Sequence, residues 1–137
     1  MISSKTQFLL VDDYSSIRIM LKAQLKEFGF KLEPIEAENV DQAMAALDER
    51  FNAGTPVEFI ISDWNMPGKS GLDFLKTLRS GDRYKDVPFL MLTTENEQDS
   101  VLDAIKEGAS NYLIKPWTKK GLSEKIAKCW EKHHPPA

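Results

Sequence analysis

Acidic residues directly after an apolar run pose the first chemical question of this sequence. In the stretch FLLVDDYS, residues 8–15, four apolar residues precede Asp12 and Asp13. Two carboxylates about 4 Å apart repel each other by ~4 kcal/mol at an effective dielectric constant near 20. A bound cation would remove this penalty, although Asp12 alone is also a good helix N-cap or turn residue.

Polar residues follow three further apolar runs. They are Asp63, Trp64 and Asn65 after VEFIIS (57–62), Thr93 and Thr94 after PFLML (88–92), and Lys115 and Pro116 after NYLI (111–114). If the runs are parallel strands, their carboxyl ends meet at one edge of the sheet, where ligands bind in open α/β folds. Taken singly, Asp63 suits a turn and Lys115 suits a structural ion pair, so the prediction depends on their coming together.

This combination of groups predicts phosphoryl transfer to a carboxylate. Mg2+ prefers oxygen ligands and commonly works with one or two carboxylates plus a phosphate. An aspartate can attack a phosphoryl group while a metal ion and an ammonium group neutralise the charge on the phosphoryl oxygens. The residues that would do this are Asp12, Asp13, Asp63, Thr93 and Lys115.

The elements that must position these residues alternate between two hydrophobic periods. The four apolar runs and a weaker one, KLEPIEA (31–37), predict five strands, and five stripes at helical spacing predict five helices. The first stripe contains Ile17, Met20, Leu21, Leu25 and Phe28, and the fourth contains Val101, Leu102 and Ile105. Ser15 and Thr118 are predicted N-caps. This order predicts an α/β domain over about residues 7–132, with a parallel sheet between two layers of helices.

Composition limits the class of protein. The 137 residues fit one domain, 1–137, without an output domain, and 42% hydrophobic residues suffice for a core. A net charge of −3 without a basic run argues against a nucleic-acid surface. No apolar segment suits a signal peptide or a membrane span, and the single Cys129 cannot form an internal disulfide. We therefore expect a cytoplasmic monomer that binds neither nucleic acid nor membrane.

Four stretches of the sequence resemble a known family. FLLVDDYSSIR, ISDWNMPGKSGLDFLKTLR, PFLMLTTENE and GASNYLIKPWT resemble the motifs of the receiver domains of two-component response regulators, most closely those of the single-domain, CheY-like chemotaxis regulators. The resemblance covers nearly the whole chain. It implies a flavodoxin-like, doubly wound (βα)5 fold whose five-stranded parallel sheet has the order 2-1-3-4-5.

The resemblance also implies how the acidic residues are used. Asp63 would be the phosphoacceptor. Mg2+ would be bound by Asp12, Asp13, Asp63 and the backbone carbonyl of Asn65. Lys115 would contact the phosphoryl oxygens from a loop in which the peptide bond to the following proline is cis.

Further residues are implied to control the switch and its lifetime. Thr93 and Tyr112 would change position on phosphorylation, and Asn65 and Glu95 would tune dephosphorylation. The chain departs from the family pattern at Thr94, at Trp117 and in the loop PGKSG after the acceptor. The indole N–H of Trp117 needs a hydrogen-bond partner if it is buried.

On this resemblance the protein is a phosphorylation switch and not an ordinary enzyme. Its donor would be a CheA-like histidine kinase and its target the flagellar motor switch in chemotaxis, with a phosphatase as a further partner. The alternative output is a phosphorelay to a histidine phosphotransfer protein. A haloacid-dehalogenase-like phosphatase would need an aspartate in place of Asn65, and a flavodoxin-like electron carrier would need a phosphate-binding loop where DDYS stands.

Overall fold

The computed structural model describes residues 2–94 and 98–134 as strands and helices in strict alternation. The strands are β1 (Phe8–Val11), β2 (Ile35–Ala37), β3 (Phe59–Asp63), β4 (Phe89–Thr93) and β5 (Asn111–Ile114). The helices are α1 (Ser15–Glu27), α2 (Val40–Asn52), α3 (Gly71–Ser80), α4 (Gln98–Lys106) and α5 (Lys119–His133). The predicted number and order of elements are confirmed.

The strands form one parallel sheet in the order β2-β1-β3-β4-β5. This confirms the doubly wound, flavodoxin-like fold. Strands β1, β3 and β4 are buried along their whole length because helices cover both faces of the sheet. None of the helices in the described part of the chain combines the length and the apolar character that a bilayer span requires.

The core lies in two layers, one on each face of the sheet. On one face, alternate strand residues such as Leu9 and Ile60 pack with residues of α2, α3 and α4. On the other face, residues such as Phe8 and Ile61 pack with residues of α1 and α5. The buried thiol of Cys129 belongs to this second layer, where burial raises its pKa to about 12. It is therefore a packing residue and not a reactive thiol.

The predicted helices are present, but some residues of their predicted apolar stripes are exposed. The side chain of Met20 is 45% exposed, and those of Leu102 and Ile105 are 67% and 38% exposed. In α1 the buried line runs instead through Arg18, Leu21, Gln24 and Leu25, and its two polar members have partners inside the protein. In α4 the small side chain of Ala104 faces the sheet.

The predicted helix starts differ in outcome. Ser15 is the first residue of α1 and not its N-cap, because Tyr14 occupies the cap position without a side-chain hydrogen bond. Thr118 is the N-cap of α5, and its hydroxyl accepts the backbone N–H of Gly121 at 3.0 Å. The indole N–H of Trp117 donates to Oε1 of Gln24 at 2.8 Å, which supplies the partner that the sequence required.

Candidate functional site

The polar residues gather at the carboxyl edge of the sheet because four strands end there together. Asp12 directly follows β1, and Asp63 and Thr93 are the last residues of β3 and β4. Strand register aligns these ends, since Asp63 pairs with Leu92. Lys115 follows β5, and its backbone N–H donates to the Thr93 carbonyl at 2.7 Å.

Three carboxyl groups form an acidic cluster at this edge. Asp12, Asp13 and Asp63 each place a carboxylate oxygen within 4.8 Å of the others. Asp12 is fully buried, and Asp63 is 6% exposed. Asp13 is more accessible to solvent than these two residues, and like charges this close together repel one another.

Lys115 supplies the positive charge that partly offsets this repulsion. Its Nζ donates to Oδ1 of Asp63 at 3.0 Å and to Oδ2 of Asp12 at 3.2 Å. Burial lowers the pKa of Lys115, but Asp63 and Asp12 outweigh it and raise the pKa above its ordinary value. The ammonium group is therefore charged at every physiological pH, and it bridges the two buried carboxylates.

The pKa of Asp63 is raised to about 6. Burial is the main cause, and the neighbouring charges of Asp12 and Asp13 add to it, while Lys115 lowers the pKa. The ammonium group of Lys115 therefore does not fully offset the burial of Asp63 and the repulsion from its two acidic neighbours. At neutral pH Asp63 is mostly a carboxylate, which is the form that can attack phosphorus or bind a cation.

The acidic cluster fits a hard divalent cation. Oδ1 of Asp13 is buried and has no hydrogen-bond partner within residues 2–94 and 98–134. Converging carboxylate oxygens with an unsatisfied member are what Mg2+ needs, since this ion takes oxygen ligands at short distance. Nitrogen and sulfur ligands for a softer metal are absent from the described cluster, which contains aspartates alone.

A cleft of about 350 Å3 opens onto the acidic cluster. It is lined by Asp13, Tyr14, Asp63, Asn65, Met66, Pro67, Thr94 and Lys115. Asn65 lies here as the resemblance implies, and Thr94, one of the departures from the family pattern, is exposed on the wall. The volume suits a phosphoryl group with its bound cation and leaves an open face for a donor.

The other predicted residues have different positions. Thr93 is 1% exposed, and its hydroxyl is a second buried group without a partner among the described residues. Tyr112 lies half-buried on β5, with Nζ of Lys125 4.8 Å from the centre of its ring. The peptide bond between Lys115 and Pro116 is cis. Glu95 lies outside the described residues, so its predicted role stays a prediction.

Two residues of the site were missed by sequence reasoning. Gly71 opens α3 directly beneath Asp63, and a Cβ placed on it would lie 2.2 Å from the Asp63 carbonyl oxygen. Arg18 reaches from α1 to donate to the carbonyl oxygen of Asp12. The available signals were a glycine at a helix start and a charged residue on a buried helical stripe.

Comparisons with known proteins point in one direction. The sequence model of the family described as response regulator receiver domain matches residues 8–127. The chain is 42% identical over 120 residues to the chemotaxis protein CheY1 of Helicobacter pylori, covering 88% of this chain and 93% of that protein. It is 36% identical over 126 residues to the chemotaxis protein CheY of Pseudomonas aeruginosa, covering 92% and 97%.

Solved structures agree with the sequence relatives. The chemotaxis protein CheY4 of Vibrio cholerae superposes with a TM-score of 0.79 at 32% identity, covering 91% of this chain and 98% of that one. A response regulator receiver domain protein of Clostridium thermocellum gives a TM-score of 0.82 at 28% identity, covering 94% and 97%.

Proposed function

The chain belongs to the response regulator receiver domain family and is a CheY-like chemotaxis response regulator, and from this premise we propose that Asp63 accepts a phosphoryl group from a histidine kinase in a Mg2+-dependent reaction. Phosphorylation then changes the affinity for a target, which we propose is the flagellar motor switch. Proteins of this family are signalling switches.

One observation carries the proposal. Lys115 bridges Asp12 and Asp63 inside a cluster of three carboxylates, of which Asp13 has an unpartnered buried oxygen. A purely structural ion pair would leave no like-charged third carboxylate to be neutralised. The excess negative charge supports a site that works with a divalent cation.

Asp63 is the nucleophile in this proposal. An oxygen of its carboxylate attacks the phosphorus of a phosphohistidine on the donor, so a P–O bond forms while the P–N bond breaks. The imidazole leaves with the electron pair of the P–N bond and takes up a proton from water. Because the pKa of Asp63 is about 6 without a cation, protons and Mg2+ should compete for this carboxylate, so the reaction should need more Mg2+ at lower pH.

The neighbouring side chains stabilise the phosphoryl group and report its arrival. Lys115, now 3.0 Å from the Asp63 oxygen, would transfer its hydrogen bond to a phosphoryl oxygen. The unpartnered hydroxyl of Thr93 would gain an acceptor at the same moment. Asp12, Asp13, Asp63 and the Asn65 carbonyl would hold Mg2+, which neutralises charge on the transferring oxygens.

The direct test uses a small acyl phosphate and a beryllium fluoride mimic with Mg2+. Trp64 adjoins Asp63 and packs against the core, so its fluorescence should change when the site is filled. We expect a Mg2+-dependent fluorescence change with either reagent and, with the acyl phosphate, a mass increase for one phosphoryl group in samples quenched during the reaction. Asp63→Asn should abolish both, and Trp64→Phe should remove the fluorescence change but keep the mass increase. An intact protein that gains no phosphoryl group would overturn the proposal.

The output is tested separately from the chemistry. The beryllium fluoride form and the untreated form are compared for binding to a motor-switch protein and to a histidine phosphotransfer protein. A coupling of about 1–3 kcal/mol would strengthen binding about 5- to 150-fold. Stronger binding to the motor-switch protein supports the proposal. Phosphate transfer to the histidine protein without motor binding would support a relay instead.

A further inference from the structure

We propose that Arg18 is a positioning residue of the phosphorylation site, which fixes the Asp12–Asp13 peptide and through it the carboxylate of Asp13. Nη1 of Arg18 donates to the carbonyl oxygen of Asp12 in a buried contact. That carbonyl belongs to the peptide group that joins the two aspartates. The inference rests on the proposed function, because it concerns the residues that would hold Mg2+ there.

Arg18 is itself held firmly. Its side chain is 10% exposed, and its Nε donates to Oε1 of Glu36 on strand β2 at 3.0 Å. Nη2 lies 3.9 Å from Oε1 of Glu38. The planar guanidinium group therefore hydrogen-bonds the Asp12 carbonyl and the Glu36 carboxylate in fixed directions, which a flexible ammonium group cannot reproduce. The geometry resembles the outer-shell partners that orient ligands at metal sites.

Asp12 is already fixed at its other polar groups. Its N–H donates to the Ala37 carbonyl at 3.1 Å, and its carboxylate accepts from Tyr14 N–H at 2.9 Å and from Lys115 Nζ at 3.2 Å. The contact with Arg18 adds the carbonyl oxygen and so sets the plane of the following peptide. That plane decides the direction in which the chain leaves β1.

Asp13 depends on this backbone direction more than Asp12 does. Oδ1 of Asp13 has no hydrogen-bond partner among the residues that the structure describes, so no such bond orients that oxygen. Its distance to the other two carboxylates follows largely from where the peptide places its Cα. Loss of the Arg18 contact should therefore move Asp13 most and weaken cation binding.

The experiment compares Arg18→Met with Lys22→Met. Lys22 is the matched control, because it also contacts Glu36, at 3.2 Å, and Glu33, at 2.6 Å, from the same helix but has no described bond to Asp12. Mg2+ titrations followed by Trp64 fluorescence should give a dissociation constant about 10-fold or more higher for Arg18→Met. Lys22→Met should stay within about 2-fold of the intact protein, because it removes ion pairs exposed to solvent.

Two further variants keep the test decisive if Arg18→Met folds poorly. Arg18→Lys retains the charge but loses the planar guanidinium group with its several N–H donors, so it should weaken Mg2+ binding to an intermediate degree. Glu36→Gln leaves the guanidinium group in place with a weaker anchor and should have a smaller effect. Urea unfolding of each variant without Mg2+ measures the loss of stability. A merely structural role of Arg18 would lower the stability without changing the affinity for Mg2+.

A metal-free measurement separates this inference from the proposed function. The Tyr14 amide donates to the Asp12 carboxylate across the peptide that Arg18 binds, so its hydrogen exchange in EDTA should be faster in Arg18→Met and unchanged in Lys22→Met. Equal exchange in the two variants, with equal Mg2+ affinity, would overturn the positioning role. If the intact protein does not bind Mg2+, the proposed function is wrong. The exchange of the Tyr14 amide would still decide the role of Arg18.

Discussion

The two ends of the parallel sheet both bury polar side chains, but they satisfy them in different ways. At the amino end, Nε of Arg79 donates to the Gly108 carbonyl at 2.9 Å, and the Tyr84 hydroxyl donates to the Leu47 carbonyl at 2.9 Å. At the carboxyl end, Asp12, Asp13 and Asp63 face one another around a single lysine. The amino end joins donors to acceptors, apart from Nη2 of Arg79, a buried donor without a partner among the described residues, whereas the carboxyl end concentrates acceptors.

Buried polar side chains are therefore not by themselves a sign of function. The Ser110 hydroxyl at the amino end accepts the Phe89 N–H at 3.0 Å and lies 2.6 Å from Nε2 of His133, an arrangement that only ties β4, β5 and α5 together. A hydroxyl beside an imidazole is complete as it stands. A group of carboxylates needs a cation from outside, and this unmet need marks the site.

Gly71→Ala should cause the largest loss of stability, because the added methyl group would clash with the backbone at the carboxyl end of the sheet. The added Cβ would lie 2.2 Å from the Asp63 carbonyl oxygen and 3.1 Å from Sδ of Met91. We expect a loss of about 3 kcal/mol in the free energy of unfolding and weaker Mg2+ binding as Asp63 shifts. Urea unfolding and metal titration measure the two.

Gly81→Ala is the matched control for this glycine. A Cβ there would meet nothing closer than the Thr77 carbonyl oxygen at 3.5 Å, which is ordinary contact. Its stability should change by less than about 0.5 kcal/mol. Equal stability of the two variants would show that the close approach at Gly71 does not constrain the site.

Arg79→Met should damage the amino end and spare the site. Arg79 donates to the carbonyls of Gly108, Tyr84 and Lys85, so the substitution leaves these acceptors without their partner and should cost about 2 kcal/mol. Mg2+ affinity should be unchanged. Arg83→Met removes a guanidinium group whose side chain is 48% exposed and should cost far less. A fall in metal affinity for Arg79→Met alone would mean that the two ends are coupled.

Asp13→Asn should act with the opposite sign on stability. It removes one of three neighbouring negative charges, so the metal-free protein should gain about 1 kcal/mol, while Mg2+ affinity falls about 10-fold or more. Urea unfolding in EDTA and Mg2+ titration measure the two effects. Asp41→Asn, at a side chain that is 86% exposed beside Lys69, should change neither by a measurable amount. A loss of stability in EDTA for Asp13→Asn would show that the cluster is not strained by like charges.

Much of this contrast could be predicted from local sequence, because strands and their ends follow from short apolar runs. The runs at 8–11 and 111–114 coincide with β1 and β5, and the residues that follow them reach the site. The fourth helix was less predictable. Its apolar residues Leu102 and Ile105 are exposed, since the small Ala104 packs against the sheet instead. Hydrophobic spacing shows that a helix is amphipathic but not how closely it packs.

The sequence did not predict which individual atoms of the site make contact with one another. Lys115 bonds to Asp12 across 103 positions of sequence, and Arg18 selects a backbone carbonyl, which every residue has. The close approach of Gly71 to Asp63 depends on the path of the intervening loop. Residue types therefore indicated the chemistry, while the tertiary fold decided which atoms carry it out.

The contributions of Asp63 and His133 to the free energy of unfolding should change with pH in opposite directions. Because the two partly cancel in the intact protein, its net pH dependence should be the smallest of these effects. The pKa of Asp63 is raised to about 6, so its contribution to stability is present at low pH and is lost as the pH rises through this value. Burial, with Arg79 and Lys132 nearby, lowers the pKa of His133 against the pull of Asp86, so its contribution is lost as the pH falls below 6.5. In urea unfolding in EDTA between pH 7.5 and 5, Asp63→Asn should steepen the loss of stability toward acid, and His133→Gln should reduce it. The opposite pH dependences require that the folded protein holds a proton on Asp63 more tightly, and one on His133 less tightly, than the unfolded chain does. The same pH slope of stability in both variants would contradict this prediction.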